Sequence, residues 1–145
     1  MSIKSLLSCI ISGCVLAAVA VSAAEEKKAA IDPSLLPAAS DKKDVTYTTD
    51  IQPIFEKACY RCHGPKSEKP KGGLRVDTLA AIIKGGKEGP DVIPGDSAKS
   101  PLVAAVAHVG DDDDFMPPPR NKANIPPLTK EQVGLVRAWI DQGAK

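Results

Sequence analysis

The sequence predicts a small all-α domain, helices joined by long loops. Apolar residues recur at helical spacing in separate stretches, and helix start signals precede those stretches. No run alternates apolar and polar residues long enough to read as a strand. Between the helical stretches lie segments rich in the 13 prolines and 11 glycines, so loops should take up much of the chain.

Residues 1–24 read as a secretory signal peptide. Lys4 precedes the apolar run "SLLSCIISGCVLAAVAVSAA", and Val21-Ser22-Ala23 or Ser22-Ala23-Ala24 suits a small-x-small cleavage site. An uncleaved anchor is the rival, since about 20 apolar residues can span a bilayer. The "ISGC" ending at Cys14 resembles a bacterial lipobox, but the apolar run continues well past it. Export places the protein in the periplasm or another extracytoplasmic space, membrane-attached if the segment is retained. Lys4 leaves with the signal, so the 19 basic residues become 18 against 18 acidic ones. A neutral chain gives no case for a nucleic-acid partner.

Residues 25–44, "EEKKAAIDPSLLPAASDKKD", read as a flexible linker without a packed core. The domain proper spans 45–145. In its first helix Ile51, Ile54, Phe55, Ala58 and Cys62 share one face, with Asp50 as N-cap and Pro53 in the first turn. That helix should end around His63-Gly64-Pro65. A Lys/Gly/Pro loop follows, then Asp77 caps a short helix "TLAAIIK" stopped by Gly85-Gly86. After a second loop, Ser100-Pro101 gives an N-cap with proline at N1, and Leu102, Ala105 and Val106 line one side of the next helix. "GDDDDFMPPPRNKANIPP" is a long loop stiffened by five prolines. The last helix has the clearest start: Thr129 and Gln132 form a capping box, and Leu128 and Val133 a hydrophobic staple. Val133, Val136, Trp139 and Ile140 make its buried stripe, and Gly143 suits C′.

With Cys9 and Cys14 in the signal segment, Cys59 and Cys62 are the domain's cysteines, and His63 follows at once. Cys-x-x-Cys-His is the form of a c-type haem attachment site. Two thiols nearly one helical turn apart can reach the two vinyl groups on one haem edge as thioethers, and the adjacent imidazole can bind the iron. A structural zinc site needs four ligands, and beyond this pair there is only His108. A redox dithiol belongs after a strand, and a plain disulfide leaves the histidine unexplained. The aromatics of the exported part are Tyr47, Phe55, Tyr60, Phe115 and Trp139. A domain of this size with so few bulky side chains is short of core, and a bound cofactor would supply it.

"TDIQPIFEKACYRCHGP", "KGGLRVDT", "VIPGDSAKSPL", "FMPP" and "LTKEQVGLVRAWIDQGA" occur in that order. Together they resemble the planctomycete-type cytochrome c domain, a class I-like branch of the small cytochromes c, over residues 45–145. The resemblance implies a cytochrome c-like fold around one covalent haem c. It also implies Met116 as distal ligand to His63's proximal one, and a crossing of the first and last helices packed through Phe55 and Trp139. In many relatives this domain is fused to larger ones.

The residues agree on Met116. A thioether is a weak ligand and needs a stiff loop, which Pro117, Pro118 and Pro119 provide. His108, ending the preceding helix, reads first as a C-terminal cap favoured by the helix dipole; as fallback distal ligand it would give a bis-His site of lower potential. Arg75 is a candidate partner for a haem propionate, or a solvated arginine. Asp111–Asp114 read as a solvated acidic turn. Between Glu56 and Arg75 six basic residues face two acidic ones, a balance that would steer an acidic redox partner or simply decorate a loop. The expectation is a single-haem electron carrier acting on redox partner proteins outside the cytoplasm, and not an enzyme. The alternatives are a haem enzyme or gas sensor with an open or labile distal site, and a disulfide-closed interaction domain without haem.

Overall fold

Thr46 starts the helical part of the chain, four residues earlier than Asp50 would. Its hydroxyl accepts from the Thr49 N–H at 3.3 Å, and the Asp50 carboxylate accepts the Thr46 N–H at 3.0 Å. This reciprocal pairing satisfies donors that a helix start leaves open. It opens a π-helical turn, Tyr47–Ile51, that runs directly into α1, Gln52–Ala58. The computed structural model in which this is seen describes residues 31–145. The signal segment 1–24 and the beginning of the linker lie outside the described residues.

The single helix expected through the cysteines is two. Cys59, at φ −120° and ψ −30°, separates α1 from α2, Tyr60–His63. The Cys59 carbonyl accepts both the Cys62 and His63 N–H groups, at 3.1 and 2.9 Å, which tightens the turn between the two thiols. Further on, α3 spans Leu79–Lys84 with Thr78, not Asp77, as its cap, accepting the Ala81 N–H at 3.2 Å. It stops at Gly85 as expected: φ is +78°, and a Cβ there would lie 2.1 Å from the Gly89 carbonyl oxygen.

Pro101–Ala107 forms α4, with Ser100 at the N-cap and proline first. Its buried side comprises Leu102, Val103, Ala104 and Val106, with Ala105 only half-buried. The Ser100 hydroxyl does not cap; it accepts the Ile93 N–H and donates to the Asp96 carbonyl, both at 2.9 Å, tying the preceding loop to the helix start. The final helix α5, Lys130–Asp141, carries the expected capping box of Thr129 and Gln132 and buries Val133, Val136, Trp139 and Ile140. No strand occurs among the described residues, only an isolated bridge between Gly86 and Gly89. No helix among them is long and apolar enough to cross a membrane. The domain is all-α.

Trp139, Phe55 and Ile51 are the largest fully buried side chains, each worth about 1.5–3 kcal/mol or more in removed apolar surface. The expected meeting of Phe55 and Trp139 is bridged by Tyr47. Its ring lies 6.5 Å from that of Phe55 and 5.9 Å from that of Trp139, centroid to centroid. The Tyr47 hydroxyl donates to the Val76 carbonyl at 2.5 Å, which gives its buried polar end a partner. The chain end closes this face: the Lys145 carbonyl accepts from the Tyr47 N–H and from Trp139 Nε1–H, at 2.8 and 3.0 Å.

The stretch expected as a coreless linker packs in its second half. Leu36 is buried, the Ser40 N–H donates to the Gly134 carbonyl at 2.9 Å, and Arg137 Nη1 donates to the Pro37 carbonyl. Gly134 permits this: a Cβ there would meet the Ala38 carbonyl oxygen at 2.6 Å. Pattern reading misses the contact because it depends on a missing side chain in another element.

Candidate haem-binding site

The segment after α2 folds back along His63 and fixes it. The Val76 N–H donates to the His63 carbonyl at 3.0 Å, and His63 Nδ1 lies 3.0 Å from the Leu74 carbonyl oxygen. A carbonyl only accepts, so the proton between them sits on Nδ1. In the neutral ring the other nitrogen, Nε2, then keeps the lone pair, the tautomer a metal-binding imidazole needs.

Leu74 and Val76 both face a cavity, so in this extended run the residue between them faces away. That residue is Arg75. Its guanidinium donates to the Gly64 carbonyl at 3.0 Å and the Ser67 carbonyl at 2.7 Å, with Asp77 Oδ2 at 3.5 Å. The expected propionate partner is absent from the cavity lining and instead closes the loop after the Cys-x-x-Cys-His segment. The alternation "LRV" in the sequence carried that signal.

The cavity measures about 530 Å³, within the roughly 300–1,000 Å³ of small-molecule sites. Cys59, Cys62, His63 and Met116 all line it, and Leu74, Val76, Leu102 and Val106 supply apolar wall. Four cationic side chains, Arg61, Lys71, Arg120 and Lys122, also line it, and no Asp or Glu does. Arg61 and Lys71 belong to the basic stretch noted in the sequence. Arg120 and Lys122 had no sequence signal, because nothing local brings this loop to the cavity that α2 also lines.

Cys59 and Cys62 are not joined to each other as a disulfide. Burial, and to a lesser extent the Cys62 sulfur, pushes the Cys59 thiol up to about 12. A reactive dithiol needs the opposite, a lowered thiol pKa in electropositive surroundings, which weighs against a redox-exchange site.

Met116 reaches the cavity from a loop held at several points. Its N–H donates to the Ala105 carbonyl at 3.0 Å, and its peptide bond to Pro117 is cis. Beyond the prolines, Asn121 donates to the Pro118 and Ile125 carbonyls, each at 2.9 Å, and accepts the Ile125 N–H at 2.8 Å. His108, the fallback ligand, does not line the cavity. It caps α4 in the left-handed region, and its ring turns onto Phe115 and the Pro117 carbonyl. Asp111–Asp113 are exposed, in a 3-10 turn whose Asp111 side chain accepts the Asp113 N–H at 3.1 Å.

Residues 59–120, which include both cysteines, His63 and Met116, match the family model described as planctomycete cytochrome C. Over these residues the chain is similar to that family. No curated protein sequence is significantly similar to the chain. Among solved structures it is similar to Kuenenia stuttgartiensis hydrazine synthase at 21% identity, with a TM-score of 0.44, covering 69% of this chain. The chain spans 16% of that larger one.

A cytochrome c domain implies covalent haem c, and the residues present fit it. Two thiols, an imidazole in the ligating tautomer and a thioether share one largely apolar cavity. A lining with four cationic side chains and no acidic one suits a cofactor that carries carboxylates.

Proposed function

We propose that this protein is an exported, single-haem electron carrier with His63 and Met116 as axial ligands. The observation that carries the reading is the convergence of Cys59, Cys62, His63 and Met116 on one cavity. Bound haem would supply one-electron chemistry at its iron. Cys59 and Cys62 would hold it as thioethers, fixing it relative to α2.

His63 is oriented by Leu74 through Nδ1, so its ligating nitrogen is presented with little reorganisation. Met116 comes from a loop held at its amide and stiffened by Pro117–Pro119. Two rigidly held axial ligands favour electron transfer over substrate binding at iron, since neither position is left open. The turning of His108 away from the cavity supports Met116 over a bis-His site. Arg61, Lys71, Arg120 and Lys122, rather than Arg75, are the candidates to face the propionates. Cationic charge beyond what the propionates neutralise would steer acidic redox partners in the periplasm or another extracytoplasmic space.

The test is the ferric absorption spectrum and the reduction potential of the haem-loaded protein and of Met116→Ala. The reading expects a weak far-red sulfur–iron band in the wild type, lost in the variant together with a fall in potential, because methionine ligation raises it. A wild type without the band, whose potential the variant leaves unchanged, would instead favour a haem enzyme or sensor with an open distal site.

A further inference from the structure

The last turn of α4 grips the Met116 loop on both sides of the methionine. His108 ends the helix at φ 54° and ψ 48°, and this left-handed turn carries its ring back over the following loop. The ring stacks on Phe115, centroids 4.6 Å apart and planes 11° from parallel. His108 Nε2 lies 3.1 Å from the Pro117 carbonyl oxygen, so Nε2 carries the proton and donates it. Phe115 and Pro117 are the two neighbours of Met116. Between them, the Met116 N–H donates to Ala105 in the same helix at 3.0 Å.

We propose that His108 is a positioning residue that clamps the Met116 loop through Phe115 and Pro117. The inference rests on Met116 being the distal ligand, and gives the histidine a part in that site without placing it on the iron. A weak thioether bond competes with any stronger ligand that reaches the metal. To exchange, the incoming ligand must move Met116 away, and that movement breaks the stack and the Pro117 hydrogen bond. The clamp therefore sets the resistance of the site to foreign ligands. Capping α4 alone would not need an imidazole, because asparagine also adopts the left-handed conformation. His108→Asn thus keeps the cap and removes the clamp.

The experiment titrates imidazole into the full-length, haem-loaded ferric protein and follows loss of the far-red band, with amide hydrogen exchange at Met116 as a second readout. Wild type, His108→Asn, Phe115→Ala and Met116→Ala are compared. The clamp predicts that His108→Asn binds imidazole about tenfold more tightly, the combined effect of one hydrogen bond and one stacked pair. Exchange at Met116 quickens, while the far-UV circular dichroism stays as in the wild type. Phe115→Ala, which leaves the cap untouched, should tighten imidazole binding several-fold, and it decides the matter if His108→Asn does not fold. Wild-type affinity and exchange in the folded His108→Asn protein, or in Phe115→Ala if that variant stands alone, overturn the clamp and leave Met116 as ligand. A band absent from the wild type, or retained in Met116→Ala, overturns the ligand assignment and the clamp with it.

Discussion

Asp50 was read from the sequence as a helix cap, and its side chain does stabilise the helix start, though from inside the first turn. The Lys42 ammonium, first, and the Thr46 N–H hold its carboxyl below the usual carboxylate range. A depressed folded pKa contributes stability above the unfolded pKa, and that contribution is lost as the pH falls through the folded value. Asp50→Asn should therefore cost about 1 kcal/mol or less at pH 7, because the half-exposed Lys42 ammonium is screened by solvent. The difference between the two melting curves should close in acid, below the usual carboxylate range, and a gap that persists there would count against the charge. At this scale the cysteines and His63 were legible, because spacing alone defines that motif. Arg75 was misplaced for want of one consideration, the two-residue alternation that puts Leu74 and Val76 on the cavity side. His108 was legible as a cap and illegible as a contact of Phe115 and Pro117, since that needs the loop's path.

Among the elements, α5 was read best, because its capping box, stripe and terminal glycine are all local signals. The first helix was read less well. The π-turn and the break at Cys59 come from pairing around Thr46 and from two N–H groups sharing the Cys59 carbonyl, neither of which periodicity reports. The docking of residues 36–40 on α5 leads to a sharp expectation. Gly134→Ala puts a Cβ 2.6 Å from the Ala38 carbonyl oxygen, and the rigid backbone on both sides must part. Alanine is the better helix former by about 1 kcal/mol, yet overpacking of this kind costs about 1–3 kcal/mol. The variant should melt several degrees lower in a thermal scan. A variant as stable as the wild type, or more so, would show that the stretch does not bear on the helix.

For the molecule as a whole, three of the five aromatic residues, Phe55, Tyr47 and Trp139, form one cluster, and the apolar wall of the cavity is aliphatic. Bound haem would complete the core where side chains do not, which would account for so few aromatics. The fold class could be read from the chain, and so could Cys59, Cys62, His63 and Met116 as candidates, whereas the cationic part of the lining could not, because it is assembled from α2 and two distant loops. The central claim is that Cys59 and Cys62 bind haem covalently in this cavity. The most direct measurement is acid–acetone extraction of the protein produced with haem-attachment machinery, with ferric and ferrous absorption spectra recorded before and after. Haem that stays with the protein, in wild type but not when both cysteines are changed to alanine, is the predicted result. Haem that passes into the acetone, or a protein that is colourless from the start, would contradict the account.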